Sequence, residues 1–261
     1  MHWVYDQVKR IQLRARVTFT NPVCFVVITP GRSGSNHLLS MFDSHPRIFH
    51  CGEDFGPSFL GNPGTRKKME LEGFLQYYKN SQTRKGFEKA IGSKFLYSYF
   101  RDEYIERYAA PELTEVYRYI RESPDIRVIH LWRENPLSVL VSFEIASLTK
   151  RFVQLRERAE EVKLNLAPAF VKYRIDEILK EQEWVRLSFR QHPFHEVSYE
   201  ELVTSRERCL REMMAFLDVD AVPLSSRTKK QNSRQLSEIL ENFDELQSFF
   251  AGTYISPYLE S

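Results

Sequence analysis

Short apolar runs alternate with helical patterns along this chain. Residues 23–28 are apolar throughout, which is typical of a strand buried on both faces of a parallel sheet. Similar short runs recur at residues 48–51, 94–97, 127–132 and 194–197. Between them, apolar residues fall at the i, i+3, i+4, i+7 spacing of amphipathic helices, in the sets Leu71, Phe74, Leu75 and Tyr78; Leu113, Val116, Tyr117 and Ile120; and Leu210, Met213, Met214 and Leu217. This alternation predicts an α/β fold of three layers, with a central, mainly parallel sheet flanked by helices.

The loop after the first apolar run carries the most informative residues. In α/β sheets, ligands bind at the carboxyl ends of strands, and this loop lies at such an end. Gly31 and Gly34 permit backbone turns that a side chain would block. The loop also offers side-chain donors, from Ser33, Ser35 and Asn36. Together with the N–H groups of a helix start, these residues predict a cradle for a phosphate-type anion, with an ordinary strand-to-helix turn as the alternative.

The loop differs from the ATP-type phosphate loop. That pattern is GxxxxGK[ST], in which the lysine binds the terminal phosphates and the hydroxyl binds magnesium. Here no Gly-Lys-Ser sequence follows Gly34, and the cation of the loop, Arg32, precedes the second glycine. A magnesium-dependent phosphotransferase that uses a nucleotide is therefore a weaker hypothesis, although it stays open.

A second anion site is predicted after a later strand. Arg133 follows the apolar run at residues 127–132, and Asn135 and Pro136 supply an N-cap and a first helical residue. Ser142 lies nine residues after Arg133 on that helix. A guanidinium and a helix hydroxyl can converge on a phosphate, although Arg133 is equally typical of a structural ion pair. Two anion sites, each after a buried strand, indicate a nucleotide with phosphates at both ends.

Composition narrows the class of protein. The chain has 261 residues, 42% of them hydrophobic, and a formal net charge of +2, which argues against a strongly basic nucleic-acid binder. No long linker divides it, so we expect one domain over residues 1–261, with a basic extension at 1–21 and a flexible loop at 56–64. The three cysteines form no CxxC, and we see no signal peptide or membrane span, so we expect a cytoplasmic protein with peripheral membrane contact left open.

The order of these segments resembles the sulfotransferases that use 3′-phosphoadenosine 5′-phosphosulfate. Residues 30–36 look like the 5′-phosphosulfate loop of that family, and residues 130–142 look like its 3′-phosphate motif. Residues 51–55 resemble the bacterial carbohydrate branch, which includes the nodulation-factor and trehalose sulfotransferases. Residues 230–236 and 239–246 are similar to the C-terminal region of that branch. Residues 197–202 are similar to a strand-end YExL element of the superfamily.

The resemblance implies a P-loop-like fold and assigns roles to individual residues. Arg32 would hold the transferring sulfuryl group, with Gly31, Ser33, Gly34, Ser35 and Asn36 around the 5′ end of the donor. Arg133 and Ser142 would hold the 3′-phosphate. Two departures from the family are His37, where an aromatic or aliphatic residue is usual, and the nine-residue spacing to Ser142, which leaves Ser138 as its rival.

The resemblance also implies a general base and an acceptor class. Glu53 would take the proton of the acceptor hydroxyl, with Asp54 as its neighbour and rival. The acceptor would be a carbohydrate or glycolipid. In the basic cluster at residues 227–230, Lys230 could close over the nucleotide, whereas a solvated surface is the usual explanation of such a cluster.

Other functions remain to be weighed against this one. His192 and His195 lie close together, but without HExxH or a cysteine partner they do not predict a zinc site, and the transfer needs no metal. A non-catalytic module that binds a nucleotide or anion would explain both turns and leave Glu53 incidental. The basic N-terminus alone would support a membrane-surface adaptor.

Overall fold

A parallel sheet forms the centre of the protein in the computed structural model, which describes residues 22–50, 52–53, 72–75, 88–101, 111–150, 162–227 and 234–260. The five strands of this described part are β1 (Val23–Thr29), β2 (Ile48–His50), β3 (Ala90–Leu96), β4 (Arg127–Trp132) and β5 (Phe194–Ser198). They pair in the order β2-β3-β1-β4-β5, and every pairing is parallel. The α/β fold with a parallel sheet, which the alternating sequence pattern predicted, is confirmed.

Helices connect the strands and cover both faces of the sheet. They are α1 (Ser35–Phe42), α2 (Pro111–Glu122), α3 (Pro136–Thr149), α4 (Pro168–Ser188), α5 (Tyr199–Thr204), α6 (Arg206–Phe216), α7 (Leu236–Ile239) and α8 (Phe243–Phe249). In the part of the chain that the structure describes, two short 3-10 helices follow β3 and α8, at Tyr97–Phe100 and Ser256–Leu259. Within the described residues, no helix combines the length and apolarity that a bilayer crossing requires.

The apolar residues of β1 divide between two cores because successive side chains of a strand point to opposite faces. Val26 and Ile28 pack in a cluster with α2 and with the end of α4, whereas Phe25 and Val27 pack in a cluster with α1 and α6. All four side chains are fully buried. Complete burial of one such side chain is worth about 1.5–3 kcal/mol, so the residues on both faces of β1 stabilise the fold. This packing also fixes the position of Thr29, the last residue of β1.

Most predicted elements agree with the structure, and β3 differs most. The run at residues 94–97 predicted its C-terminal end, but the strand begins at Ala90. Gly92, Ser93 and Lys94 interrupt the apolar pattern although Ser93 is 0% and Lys94 only 3% exposed. The predicted helix at residues 71–78 is described only at 72–75, which are helical. The extension at 1–21 and the loop at 56–64 lie outside the described residues, and the single domain stays a prediction.

Candidate active site

The loop between β1 and α1 has the backbone of an anion cradle. Arg32 and Gly34 have positive φ angles of 70° and 82°, so the chain reverses sharply before α1 begins at Ser35. Ser33 is fully buried, and its hydroxyl forms a hydrogen bond with that of Thr29, the last residue of β1. The start of α1 therefore lies directly behind a fixed turn, where free N–H groups and the helix dipole favour an anion.

Gly34 is required at its position for two reasons. Its positive φ disfavours other residues, and a Cβ there would lie 2.4 Å from Cδ2 of Tyr199. Tyr199 is the first residue of α5, which follows β5 at the same edge of the sheet. The loop is thus packed against the end of another strand, which predicts that its conformation is held in place without a ligand.

The two predicted anion-binding turns meet in the structure. The Nε atom of Arg32 donates a hydrogen bond to Oγ of Ser142 on α3, at 3.1 Å. Burial lowers the pKa of Arg32, and the nearby charge of Arg133 lowers it further. Two guanidinium groups therefore lie close enough to repel one another, and a bound phosphate would relieve that repulsion.

Arg133 follows β4 and is held on two sides. Its guanidinium lies over the ring of Tyr199, 4.9 Å from the ring centre, and its Nε donates to Oε1 of Glu200 at 3.3 Å. The ion pair that was the structural alternative for Arg133 is therefore present. Asn135 caps α3 as predicted, accepting a hydrogen bond from the backbone N–H of Ser138 at 3.1 Å.

A buried lysine that the sequence analysis did not single out joins the loop to the predicted base. Nζ of Lys94 donates to Oδ1 of Asn36 at 2.8 Å and lies 3.3 Å from Oε1 of Glu53. Its side chain is only 4% exposed. Burial lowers the pKa of Lys94, the Glu53 carboxylate opposes that shift, and Arg32 adds to it. The sequence signal for Lys94 is a lysine inside a run that otherwise predicts a buried strand, and that signal could have identified this residue.

The described residues therefore bring together three cations and two carboxylates, Glu53 and Glu200, near the carboxyl ends of the strands β1, β3 and β4. Arg32, Lys94 and Arg133 can hold the charges of an anion with several phosphate-type groups. Glu53 lies beside Lys94 at the edge of this cluster. Asp54, the rival of Glu53, and Lys230 lie outside the described residues. Among the described residues, no three His, Cys, Asp or Glu side chains gather as a metal site would require.

A segment at residues 225–227 runs along α1. The backbone N–H groups of Ser225 and Arg227 donate to Oγ of Ser44 at 3.0 Å and of Ser40 at 2.8 Å. The hydroxyl of Ser226 pairs with Nδ1 of His37 at 3.0 Å. The segment therefore lies against α1, and Arg227 is the first residue of the basic cluster 227–230 to which Lys230 belongs.

A buried polar network crosses the sheet near this site. His130, fully buried in β4, bonds through Nδ1 to Oε1 of Glu196 at 2.9 Å and through Nε2 to the hydroxyl of Tyr97 at 2.5 Å. Because a carboxylate only accepts, Nδ1 carries the proton and Tyr97 donates to Nε2. Burial raises the pKa of Glu196, but hydrogen bonds from His130 and Arg186 outweigh it and lower that pKa to about 2.

Comparison with known proteins agrees with this architecture. The chain is 22% identical over 251 residues to Nodulation protein H of Rhizobium meliloti (strain 1021), covering 92% of this chain and 96% of that protein. It is 24% identical over 250 residues to Nodulation protein H of Rhizobium tropici, covering 92% and 94%. The crystal structure of a sulfotransferase from Alicyclobacillus acidocaldarius superposes with a TM-score of 0.52 at 15% identity over 92% of this chain and 95% of that one, which shows a shared fold.

The family follows from a match over most of the chain. The model of the Sulfotransferase family matches residues 22–223, from the first residue before β1 to just before the segment that runs along α1. That range includes both turns that are predicted to bind anions, the buried lysine and the carboxylate beside it. The chain belongs to the sulfotransferase family.

Proposed function

We propose that this sulfotransferase moves a sulfuryl group from 3′-phosphoadenosine 5′-phosphosulfate to a hydroxyl of a carbohydrate or glycolipid. The observation that carries the proposal is the contact between the two anion-binding turns, made by Arg32 and Ser142. A nucleotide with a phosphosulfate at one end and a phosphate at the other presents two acidic groups to one such cluster. The resemblance to a carbohydrate branch supports the acceptor class.

The donor end of the site would bind and neutralise charge. Gly31, Ser33, Gly34, Ser35 and Asn36 surround the 5′ end in this proposal, and Arg32 leaves Ser142 to hold the sulfuryl group. Arg133 and Ser142 hold the 3′-phosphate, and Lys230 approaches the nucleotide from the basic cluster that follows residue 226. Fixed donors of this kind stabilise charge without reorganising, and loss of one typically costs about 10²–10³ in rate.

In this proposal, Glu53 is the general base of the transfer step, and its position beside Lys94 supports that role. Its carboxylate takes the proton of the acceptor hydroxyl, and the acceptor oxygen attacks sulfur. The bond between sulfur and the 5′-phosphate oxygen breaks in line, and its electron pair stays on that oxygen. Lys94 orients Glu53 and places a positive charge next to the loop that holds the leaving phosphate. General-base assistance is typically worth about 10²–10⁴ in rate.

Sulfate transfer to a panel of sugars and glycolipids, followed by mass spectrometry, tests this function. We expect transfer from the donor by the unmodified enzyme and a loss of at least about a hundredfold in Arg32→Ala and Glu53→Gln. Arg190→Ala and Glu207→Gln remove the same charges from exposed surface positions and should keep the full rate.

Three outcomes would contradict the proposal. Full rates in both site variants would remove the assigned roles of Arg32 and Glu53. Donor binding by calorimetry without transfer to any acceptor would favour a non-catalytic module, and magnesium-dependent turnover of ATP would favour a phosphotransferase.

Contact with a membrane surface is a separate part of the proposal, because a glycolipid acceptor would be reached there. The basic residues that would mediate it are in the N-terminal segment 1–21, outside the described residues. Flotation with anionic vesicles should carry the full chain upward at low salt. Flotation that is equal with neutral vesicles, or absent with both kinds, would contradict an electrostatic contact.

A further inference from the structure

The YExL element of residues 199–202 contacts both of the turns that are predicted to bind anions. It begins α5 directly after β5, and its start is held by a capping box in which Ser198 and Glu201 exchange hydrogen bonds. The hydroxyl of Ser198 also contacts Oε1 of Glu134 at 2.6 Å. The first residues of α5 are therefore fixed against the turn that follows β4, and two of their side chains reach the site.

The ring of Tyr199 contacts both turns. It lies so close to Gly34 that a Cβ there would be 2.4 Å from the ring. The guanidinium of Arg133 lies over the same ring, 4.9 Å from its centre. An aromatic face attracts a guanidinium, and a planar ring has few rotamers, so the ring sets how far Arg133 stands from the loop.

Glu200 fixes the orientation of the same arginine. One carboxylate oxygen accepts from Nε of Arg133 at 3.3 Å, and the other accepts from the backbone N–H of Glu134 at 3.0 Å. The carboxylate is therefore anchored to the backbone of the turn as well as to the side chain. A guanidinium carries five N–H donors in a fixed fork. Because the contact with Glu200 uses Nε, the Nη donors of Arg133 are left for another partner such as a phosphate.

Charge gives Glu200 a second effect on the geometry. Arg32 and Arg133 repel one another, and that repulsion contributes to the lowered pKa of Arg32. The negative charge of Glu200 offsets one member of the pair. Without this negative charge, the repulsion between Arg133 and Arg32 would be less compensated, and Arg133 would move away from Arg32 before a nucleotide binds.

We propose that Tyr199 and Glu200 are positioning residues that hold Arg133 at a set distance from the Gly34 loop and thereby make the enzyme distinguish nucleotides with a 3′-phosphate from those without one. This inference rests on the proposed function, in which Arg133 binds the 3′-phosphate. Tyr199 and Glu200 act through Arg133 and are assigned no contact with the reacting atoms.

Calorimetric titration of the whole chain with 3′-phosphoadenosine 5′-phosphate and with 5′-AMP tests the inference, because the two ligands differ only in the 3′-phosphate. In Tyr199→Leu we expect the affinity for the first ligand to fall about tenfold and that for 5′-AMP to fall less than about threefold. Glu200→Ala should lower the affinity for the first ligand about three- to fivefold, since the ion pair is partly exposed.

Conservative variants and an exposed tyrosine serve as controls. Tyr199→Phe keeps the ring, and Glu200→Gln keeps an oxygen that can accept from Nε, so both should retain most of the preference of the unmodified enzyme. Tyr173→Leu removes a tyrosine that is 60% exposed on α4 and should retain all of it. A partly unfolded sample changes the number of sites, but it leaves the ratio of the two affinities unchanged, so misfolding cannot mimic the expected result.

The outcomes separate this inference from the proposed function. If the unmodified enzyme prefers the 3′-phosphorylated ligand and both Tyr199→Leu and Glu200→Ala keep that preference, the positioning role is wrong while the proposed function stands. If the unmodified enzyme binds both ligands equally, the assignment of Arg133 to the 3′-phosphate is wrong, and the inference falls with it.

Discussion

Replacing Gly34 by alanine separates two physical costs that the structure predicts at one position. The first is the backbone, because φ is 82° and an L-residue in the left-handed region costs about 1–2 kcal/mol. The second is the contact with Tyr199, because the new Cβ would lie 2.4 Å and 2.6 Å from two ring carbons. Carbon atoms pack at about 3.5–4.0 Å, so the ring must recede by about 1 Å, and overpacking of this kind costs about 1–3 kcal/mol.

We therefore expect Gly34→Ala to lower the free energy of unfolding by about 3 kcal/mol, or Tm by about 6–12 °C for a protein of this size. Urea and thermal unfolding followed by circular dichroism measure the change. Gly252→Ala is the matched control, since Gly252 has a φ of 72° with nothing within 4 Å of a built Cβ, so it reports the backbone cost alone.

A double-mutant cycle isolates the ring contact. With Tyr199→Ala in the background, Gly34→Ala should cost about as much as Gly252→Ala, so that the two changes at the loop are coupled by about 1–2 kcal/mol. If Gly34→Ala and Gly252→Ala destabilise equally in the original background, or if the coupling is zero, the Tyr199 ring does not restrain the loop and the packing argument is refuted.

Three further changes test other parts of the site. Lys94→Met should lower kcat about 10²–10³-fold in the sulfate-transfer assay because it removes a fixed charge beside Glu53, and an unchanged kcat would contradict that role. Ser142→Ala should weaken binding of 3′-phosphoadenosine 5′-phosphate about three- to tenfold in calorimetry, as expected for one hydrogen bond, whereas Ser138→Ala should not; the reverse order would give the 3′-phosphate to Ser138. Glu196 has a folded-state pKa of about 2, below its ordinary value of 4.5, so it stabilises the fold above pH 4.5 and loses that effect as the pH falls towards 2. In urea unfolding, Glu196→Gln should thus be less stable than the unmodified protein at pH 7, and the difference should shrink below pH 4.5; a constant difference would show that the charge does not contribute.

The sequence predicted the strands whose apolar pattern was continuous. The runs at residues 23–28, 127–132 and 194–197 became β1, β4 and β5 with ends within a residue of the prediction. Hydropathy works there because a strand buried on both faces of a parallel sheet must be apolar on both faces. The helix cap at Asn135 was also predicted, since capping depends on local hydrogen bonds.

The sequence could not predict contacts between distant segments. Lys94 interrupts an apolar pattern, and its partners Asn36 and Glu53 lie on other segments, so only the packing of β3 beside β1 reveals that the charge is satisfied. Likewise, the sequence motifs assigned Arg32 and Ser142 to opposite ends of the donor. In the structure their side chains are hydrogen-bonded, although the two residues lie 110 positions apart in the sequence. Local sequence patterns do not predict such contacts, because they depend on how distant segments pack and on how far long side chains reach.

The segment at residues 225–227, which runs along α1, affects the order in which the chain folds. Its hydrogen bonds to Ser44, Ser40 and His37 join residues 181, 187 and 189 positions apart, so nearly the whole family-matched region lies between the bonded groups. Closure of such long loops carries a large entropic cost and slows folding. We therefore expect α1, which presents the predicted anion cradle, to gain these hydrogen bonds late in folding. In a nascent polypeptide that lacks residues 225–227, Ser44, Ser40 and His37 would form hydrogen bonds with water instead.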